Sequence, residues 1–217
     1  MESLSPGATV SFSNTRFRVK KLLGKGKSAF SWLCENGIEK VVLKQIHNEP
    51  SSFYAFTDKF KTELAAYAFL FKMQIPIPEM LGYDEGKKWI FKEYIHGRNA
   101  SQLIAAGKIT DNHFQQLVFM SNRAKDFGFN LDYFPTNFVV CCKRLYYVDY
   151  EINSYSEEWN LQNWGLYYWV NQQGMKKFIE TGDASAVNEN VEKGIPFKAE
   201  YEQKVNALLK NAAQFEL

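Results

Sequence analysis

Asp132, Asn137 and Asp149 are the residues of this sequence best spaced for chemistry. Asp132 and Asn137 lie in Asn130-Leu131-Asp132-Tyr133-Phe134-Pro135-Thr136-Asn137. The run Phe138 to Tyr147 then leads to Val148-Asp149-Tyr150-Glu151. A short loop and a tight hairpin deliver two carboxylates and an amide oxygen to one side of a cleft. Such a set suits phosphoryl transfer. One carboxylate receives or orients the proton of the nucleophile, while an oxygen ligand and a second carboxylate hold the metal that neutralises a triphosphate.

Phosphate-binding chemistry stands upstream. Leu23-Gly24-Lys25-Gly26-Lys27-Ser28-Ala29 is a glycine-rich turn between two strand-like segments. Gly24 and Gly26 let the backbone approach phosphate oxygens with no side chain in the way. Lys20, Lys21, Lys25 and Lys27 form a basic cluster at that turn, which a nucleotide explains as well as a polymer does. Val41-Val42-Leu43-Lys44 reads as a strand ending in a Lys. Glu63, in the helical stretch Phe60 to Leu70, is the carboxylate suited to fixing the Lys44 rotamer. Ile90-Phe91-Lys92-Glu93-Tyr94-Ile95-His96-Gly97 reads as a last strand running into a hinge.

These five elements, in this order, resemble the protein-kinase-like superfamily from Phe17 to Trp169. The chain is similar to small bacterial eukaryotic-like kinases and RIO-type atypical kinases, and also to choline kinase and aminoglycoside phosphotransferases. The resemblance implies an α+β, bilobal fold. Residues 1–95 form an N-lobe of antiparallel sheet with one helix, and residues 96–217 form a mostly helical C-lobe. It implies ATP and Mg²⁺ as cofactors. Asp132 becomes the catalytic base and Lys44 the catalytic cation. Gly24, Lys25, Gly26, Lys27, Lys44 and Glu63 serve the phosphates, the backbone of Glu93 and Ile95 the adenine, and Asn137 and Asp149 the metal.

Several positions depart from the family pattern. Ala29 replaces the third glycine, and Asn130, Leu131 and Phe134 replace the usual His, Arg and Lys around Asp132. With no Arg there, an activating phosphate lacks its usual partner. Asp149-Tyr150-Glu151 replaces Asp-Phe-Gly and is closer to the small-molecule kinases. Asn160 follows it closely, and no Ala-Pro-Glu motif intervenes. Asn160 also stands where an Asp is usual, so any anchoring of the catalytic loop is expected to use an amide.

The positioning elements follow from pattern. Met1 to Asn14 reads as a loosely held start. Arg16 to Leu22, Ala29 to Glu35 and Lys40 to His47 read as strands. Asn48 to Ser52 reads as a loop and cap, and Phe53 to Lys72 as a helix ended by Ile75-Pro76-Ile77-Pro78. Met80 to Asp84 and Trp89 to Glu93 make a hairpin. Asn99 to Ala105 and Thr110 to Phe127 read as helices, the second capped by Thr110. Phe138 to Val148 is a ribbon turning at Lys143-Arg144. Glu157 to Gln172 is an aromatic helix, and a polar helical remainder turns at Gly182 and Gly194.

Composition sets bounds. With 217 residues, 46% of them hydrophobic, the chain can bury a real core. A net charge of +2 gives no footing for nucleic acid, and no apolar run reaches membrane-spanning length. Cys141 and Cys142 are adjacent with no ligand-spaced His or Cys. They read as thiols on opposite faces of a strand rather than a zinc site. An odd cysteine count without a secretory signal fits the reducing cytoplasm. The expected activity is transfer of the ATP γ-phosphate to a hydroxyl, as an atypical serine/threonine protein kinase. The alternatives are a small-molecule kinase, with Glu151, Tyr155, Glu157, Glu158, Trp159 and Trp164 near an amine acceptor, and a nucleotide-binding pseudokinase.

Overall fold

The computed structural model describes residues 4–26, 28–47 and 58–213. Lys27, the expected loop at 48–52 and the expected first helical turns at 53–57 lie outside the described residues. The chain divides into two compact units, Met1–Ala68 with Pro78–Ile95, and Phe69–Ile77 with His96–Leu217.

The first unit is a six-stranded antiparallel sheet with a helix. Its strands are β1 (Thr9–Phe12), β2 (Thr15–Lys25), β3 (Ala29–Glu35), β4 (Lys40–Ile46), β5 (Met80–Asp84) and β6 (Trp89–Glu93), with α1 (Lys59–Lys72) beginning in this unit. The spatial order is β1-β2-β3-β4-β6-β5. The expected loose start is therefore wrong in part. Residues 9–12 pair with β2, because Ser13 and Asn14 adopt positive φ, 47° and 63°, and close a tight hairpin. Val10, Phe17, Val19, Trp32, Cys34, Val41, Leu43 and Phe91 form the core. Phe12 stacks on Phe91 at 4.3 Å. Gly82 makes room for it, since a Cβ there would lie 2.7 Å from the Phe12 ring.

The second unit is mostly helical. It contains β7 (Arg98–Asn99), α2 (Ala100–Ala105), α3 (Asp111–Asp126), β8 (Phe129–Leu131), β9 (Phe138–Cys141), β10 (Arg144–Tyr147) and β11 (Ile152–Ser154). It continues with α4 (Leu166–Val170), α5 (Gln172–Thr181), β12 (Asn188–Asn190), β13 (Ile195–Pro196) and α6 (Glu202–Ala213). Asn99 caps α2 by accepting from the Ser101 N–H at 2.9 Å. Thr110 and His113 cap α3 reciprocally. The ribbon turns at Cys142 and Lys143, with φ 52° and 67°, one residue earlier than expected.

The expected continuous helix from Glu157 to Gln172 is instead a π-helical turn, Leu161–Gly165, followed by α4 and a break at Asn171. The buried Asn171 side chain caps the start of α5. Its Oδ1 accepts from the Gly174 N–H at 2.7 Å and from the Tyr201 hydroxyl at 2.9 Å. The α+β class expected from the sequence is borne out, with a sheet and one helix first and a mostly helical unit after it. Among the described residues, no helix is long and apolar enough to cross a membrane.

Candidate active-site residues

In the first unit, Lys44 meets Glu63. Lys44 lies on β4, paired with Ser31 on one side and Ile90 on the other. Glu63 lies on α1. Lys44 Nζ is 2.7 Å from Glu63 Oε1, and both side chains are about one-tenth exposed, so little water screens the pair. A carboxylate at that distance holds a flexible four-carbon chain in one direction.

Gly24 and Lys25 end β2, and Gly26 begins the turn into β3, where its N–H donates to the Ala29 carbonyl at 2.9 Å. Lys25 is exposed, its Nζ 5.6 Å from the centre of the Phe30 ring. A Cβ on Gly24 would meet no atom within 4 Å, and one on Gly26 only the Ala29 carbonyl at 3.7 Å. Neither has a positive φ. The fold itself therefore does not demand glycine at either position.

Glu93 ends β6. Its N–H donates to the Glu79 carbonyl at 2.9 Å, and its Oε2 accepts from the Glu79 N–H at 3.2 Å. The main-chain donor of Glu93 is thus already committed. Ile95 is buried, and so is Lys92.

In the second unit, Asp132, Asn137 and Asp149 come together. The chain leaves β8 at Leu131, and Pro135–Asn137 forms a 3-10 turn that starts β9. Asp132 Oδ1 accepts from the Phe134 N–H at 3.0 Å, which fixes the carboxylate over its own loop. The Asn137 amide nitrogen donates to the Asp132 carbonyl at 3.4 Å, which directs its oxygen the other way. The Asn137 carbonyl accepts from the Val148 N–H at 2.8 Å, so the loop and the segment bearing Asp149 are stitched across the base of the hairpin. Asp149 Oδ1 accepts from the Tyr150 N–H at 2.9 Å.

Electrostatics single out Asp132. Burial pushes its carboxyl from 3.8 up to about 6, the Phe134 N–H opposes this, and the Glu151 and Asp149 charges add to the rise. The residue keeps some solvent exposure, but the protein packs closely around the carboxylate. Oxygen donors of this kind fit a hard cation. Among the described residues no three His, Cys, Asp or Glu side chains form a metal cage. Two protein oxygens are a donor set of the kind that commonly holds Mg²⁺ together with phosphates and water.

Three anchors of this site have no distinct sequence signal. The Tyr147 hydroxyl, fully buried, accepts from the Asp132 N–H at 3.3 Å and donates to the Glu151 carbonyl at 2.7 Å. Trp169 Nε1 donates to the Tyr133 carbonyl at 2.8 Å. Gly165 packs against Tyr133, where a Cβ would lie 2.5 Å from the Tyr133 Cβ. The amide anchor expected at Asn160 is not found. Asn160 Oδ1 accepts from the Asn163 N–H at 2.6 Å and caps its own turn, and the indole of Trp169 holds the loop instead. Trp164 also has a structural partner, its Nε1 donating to the Gly194 carbonyl at 2.8 Å.

No protein-family model and no curated protein matches the chain. Among solved structures, it is similar to the Mycobacterium tuberculosis PknI kinase domain. One crystal structure is 21% identical over 70% of this chain and 64% of that one, with a TM-score of 0.45. A second is 20% identical over 77% and 72%, with a TM-score of 0.48. A point mutant of that domain is 20% identical over 69% and 63%, at 0.43. The chain thus spans just under two thirds of the first of these domains. In chain order its own elements run from the glycine turn through Lys44 on β4, Glu63 on α1 and the Asp132 loop to Asp149.

Proposed function

We propose that the chain is an ATP-dependent phosphotransferase that moves the γ-phosphate to a hydroxyl acceptor, as an atypical serine/threonine protein kinase. The observation that carries this reading is the acidic loop: Asp132 fixed by the Phe134 N–H, with Asn137 and Asp149 beside it. The first unit supplies phosphate and base recognition. Lys44, aligned by Glu63, puts a localised ammonium on phosphate oxygens. Gly24 and Gly26 let main-chain N–H groups approach them, with Lys25 and Lys27 adding positive charge, and the open space around Gly24 supports that role. The base meets the main chain at Glu93 and Ile95.

The second unit supplies the base and the metal ligands. Asp132 orients the acceptor hydroxyl and takes its proton as the oxygen attacks the γ-phosphorus, and the bond from that phosphorus to the bridging oxygen breaks. Such general-base assistance is worth roughly a hundredfold to ten-thousandfold. Asn137 and Asp149 would hold Mg²⁺, which when bound neutralises charge on the phosphates.

One observation favours a second reading, a small-molecule acceptor. Directly after Asp149-Tyr150-Glu151 the chain forms β11, which pairs back onto β8, so this segment has no room for a long peptide-docking loop. Labelled Mg-ATP, supplied alone, with generic protein acceptors and with a panel of amino alcohols and aminoglycosides, separates the readings. Transfer to protein or to the chain itself, abolished in Asp132→Asn, is the expected result. Rapid transfer to an amine-bearing small molecule with none to protein overturns the protein-kinase assignment. Equal activity in wild type and Asp132→Asn overturns the role of Asp132. Lys44→Met and Asp149→Asn are expected to weaken Mg-ATP binding, and unchanged affinity in both would mean the site is misassigned.

A further inference from the structure

Cys141 and Cys142 stand at the tip of the β9–β10 hairpin, away from the residues assigned above. In a regular strand two adjacent side chains point to opposite faces. Here Cys142 leaves the strand and enters the turn with φ 52°. That rotation breaks the alternation and brings the two Sγ atoms to 3.6 Å. Cys142 is exposed and Cys141 half-buried, so one thiol meets solvent with the other directly behind it. The turn is also held in place. The Lys143 carbonyl accepts from Gln116 Nε2 at 2.9 Å and from Asn112 Nδ2 at 3.3 Å, and Gln116 Oε1 accepts from the Leu145 N–H at 2.8 Å. Thiol proximity is therefore a property of an anchored turn.

We propose that Cys141 and Cys142 form a redox-modification site, a vicinal thiol pair that a small anionic disulfide closes to an intramolecular disulfide. An exposed thiol with a second thiol in contact is the arrangement of an attacking and a resolving cysteine. The Cys142 thiolate attacks one sulfur of the small disulfide, forms a mixed disulfide and expels one small thiol. The Cys141 thiolate then attacks the Cys142 sulfur and expels the second. Two protein thiols lose two protons and two electrons, and one small disulfide becomes two thiols. Sulfurs at 3.6 Å need to approach by roughly 1.5 Å to reach bonding distance. The exposed Lys143 and Arg144 that follow attract a carboxylate-bearing disulfide such as oxidised glutathione. Adjacent Cα atoms sit about 3.8 Å apart, closer than in most disulfides, so the ring is one that cellular thiols reopen.

Oxidised glutathione added to the full chain, followed by acid quenching, alkylation, intact mass measurement and peptide mapping, tests this. Wild type is expected to lose two hydrogens, with both sulfurs of the hairpin-tip peptide protected from alkylation. Cys141→Ser is expected to stop at a stable glutathione adduct on Cys142. Cys34, buried in the sheet core with its thiol pushed up to about 11 by burial, serves as the unreactive control. A glutathione adduct on wild type as stable as that on Cys141→Ser, disulfide-linked dimers in place of the ring, or two thiols that remain fully alkylatable would each overturn the proposal.

Discussion

Asp132→Asn should make the protein more stable while removing its activity. The carboxyl of Asp132 titrates near 6 in the folded chain against an ordinary 3.8, chiefly because burial penalises its charge. Above about 6 the folded state carries that penalty in full. As pH falls through the window between 6 and 3.8 the folded state takes up its proton first, and the penalty is lost. The gap between the two values corresponds to roughly 3 kcal/mol. Asparagine is isosteric, carries no charge and keeps an oxygen for the Phe134 N–H now donated to Oδ1 at 3.0 Å. The Phe134 bond to the charged form already opposes the rise, so its weakening is contained in that difference. The expectation is a gain of up to roughly 3 kcal/mol near pH 8, and little near pH 4. Urea unfolding without magnesium at both pH values measures it, as a higher midpoint at unchanged slope. A loss of stability near pH 8, or an equal gain at both pH values, would refute the charge argument.

Tyr147→Phe strands the Asp132 N–H and the Glu151 carbonyl, so it should cost about 1–3 kcal/mol in the same unfolding assay. Gly165→Ala forces a methyl against the Tyr133 Cβ and should destabilise by about 1–3 kcal/mol, read as a lower melting temperature. Gly24→Ala has open space around its new methyl, so its melting temperature should hold or rise slightly while its affinity for ATP falls. Equal loss of stability in the two alanine variants would contradict the distinction between them.

Local signals were legible and distant ones were not. The β5–β6 hairpin follows its expected bounds because two short apolar runs flank a Glu-Gly-Lys-Lys turn. The cap at Thr110 follows because a short polar side chain satisfies helix N–H groups at fixed offsets. β1 escaped because only Val10 of its four residues is fully buried and the flanking Ser, Pro and Gly suggest a loop. The break at Asn171 escaped because an apolar-periodic run gives no sign that one amide will cap the next helix. That Asp132, Asn137 and Asp149 come together follows from their type and order. The anchoring by Tyr147 and Trp169 does not, because their partners stand 15 and 36 residues away, and no local pattern encodes such pairings.

Those two distant anchors explain how the acidic corner persists. Burial chiefly, with the nearby Glu151 and Asp149 charges adding to it, raises the Asp132 carboxyl. The anchors named here grip main chain rather than the Asp132 carboxylate. Tyr147 takes the N–H of Asp132 and the carbonyl of Glu151, Trp169 takes the carbonyl of Tyr133, and Gly165 lets the helix approach that same residue. Position is thereby fixed through the main chain. On the proposed phosphotransferase reading, that burial cost is retained because the chemistry needs the carboxylate at this place. The aromatic packing of the second unit, with Phe138 between Tyr147 and Trp169 at 5.1 and 5.3 Å, bears that cost.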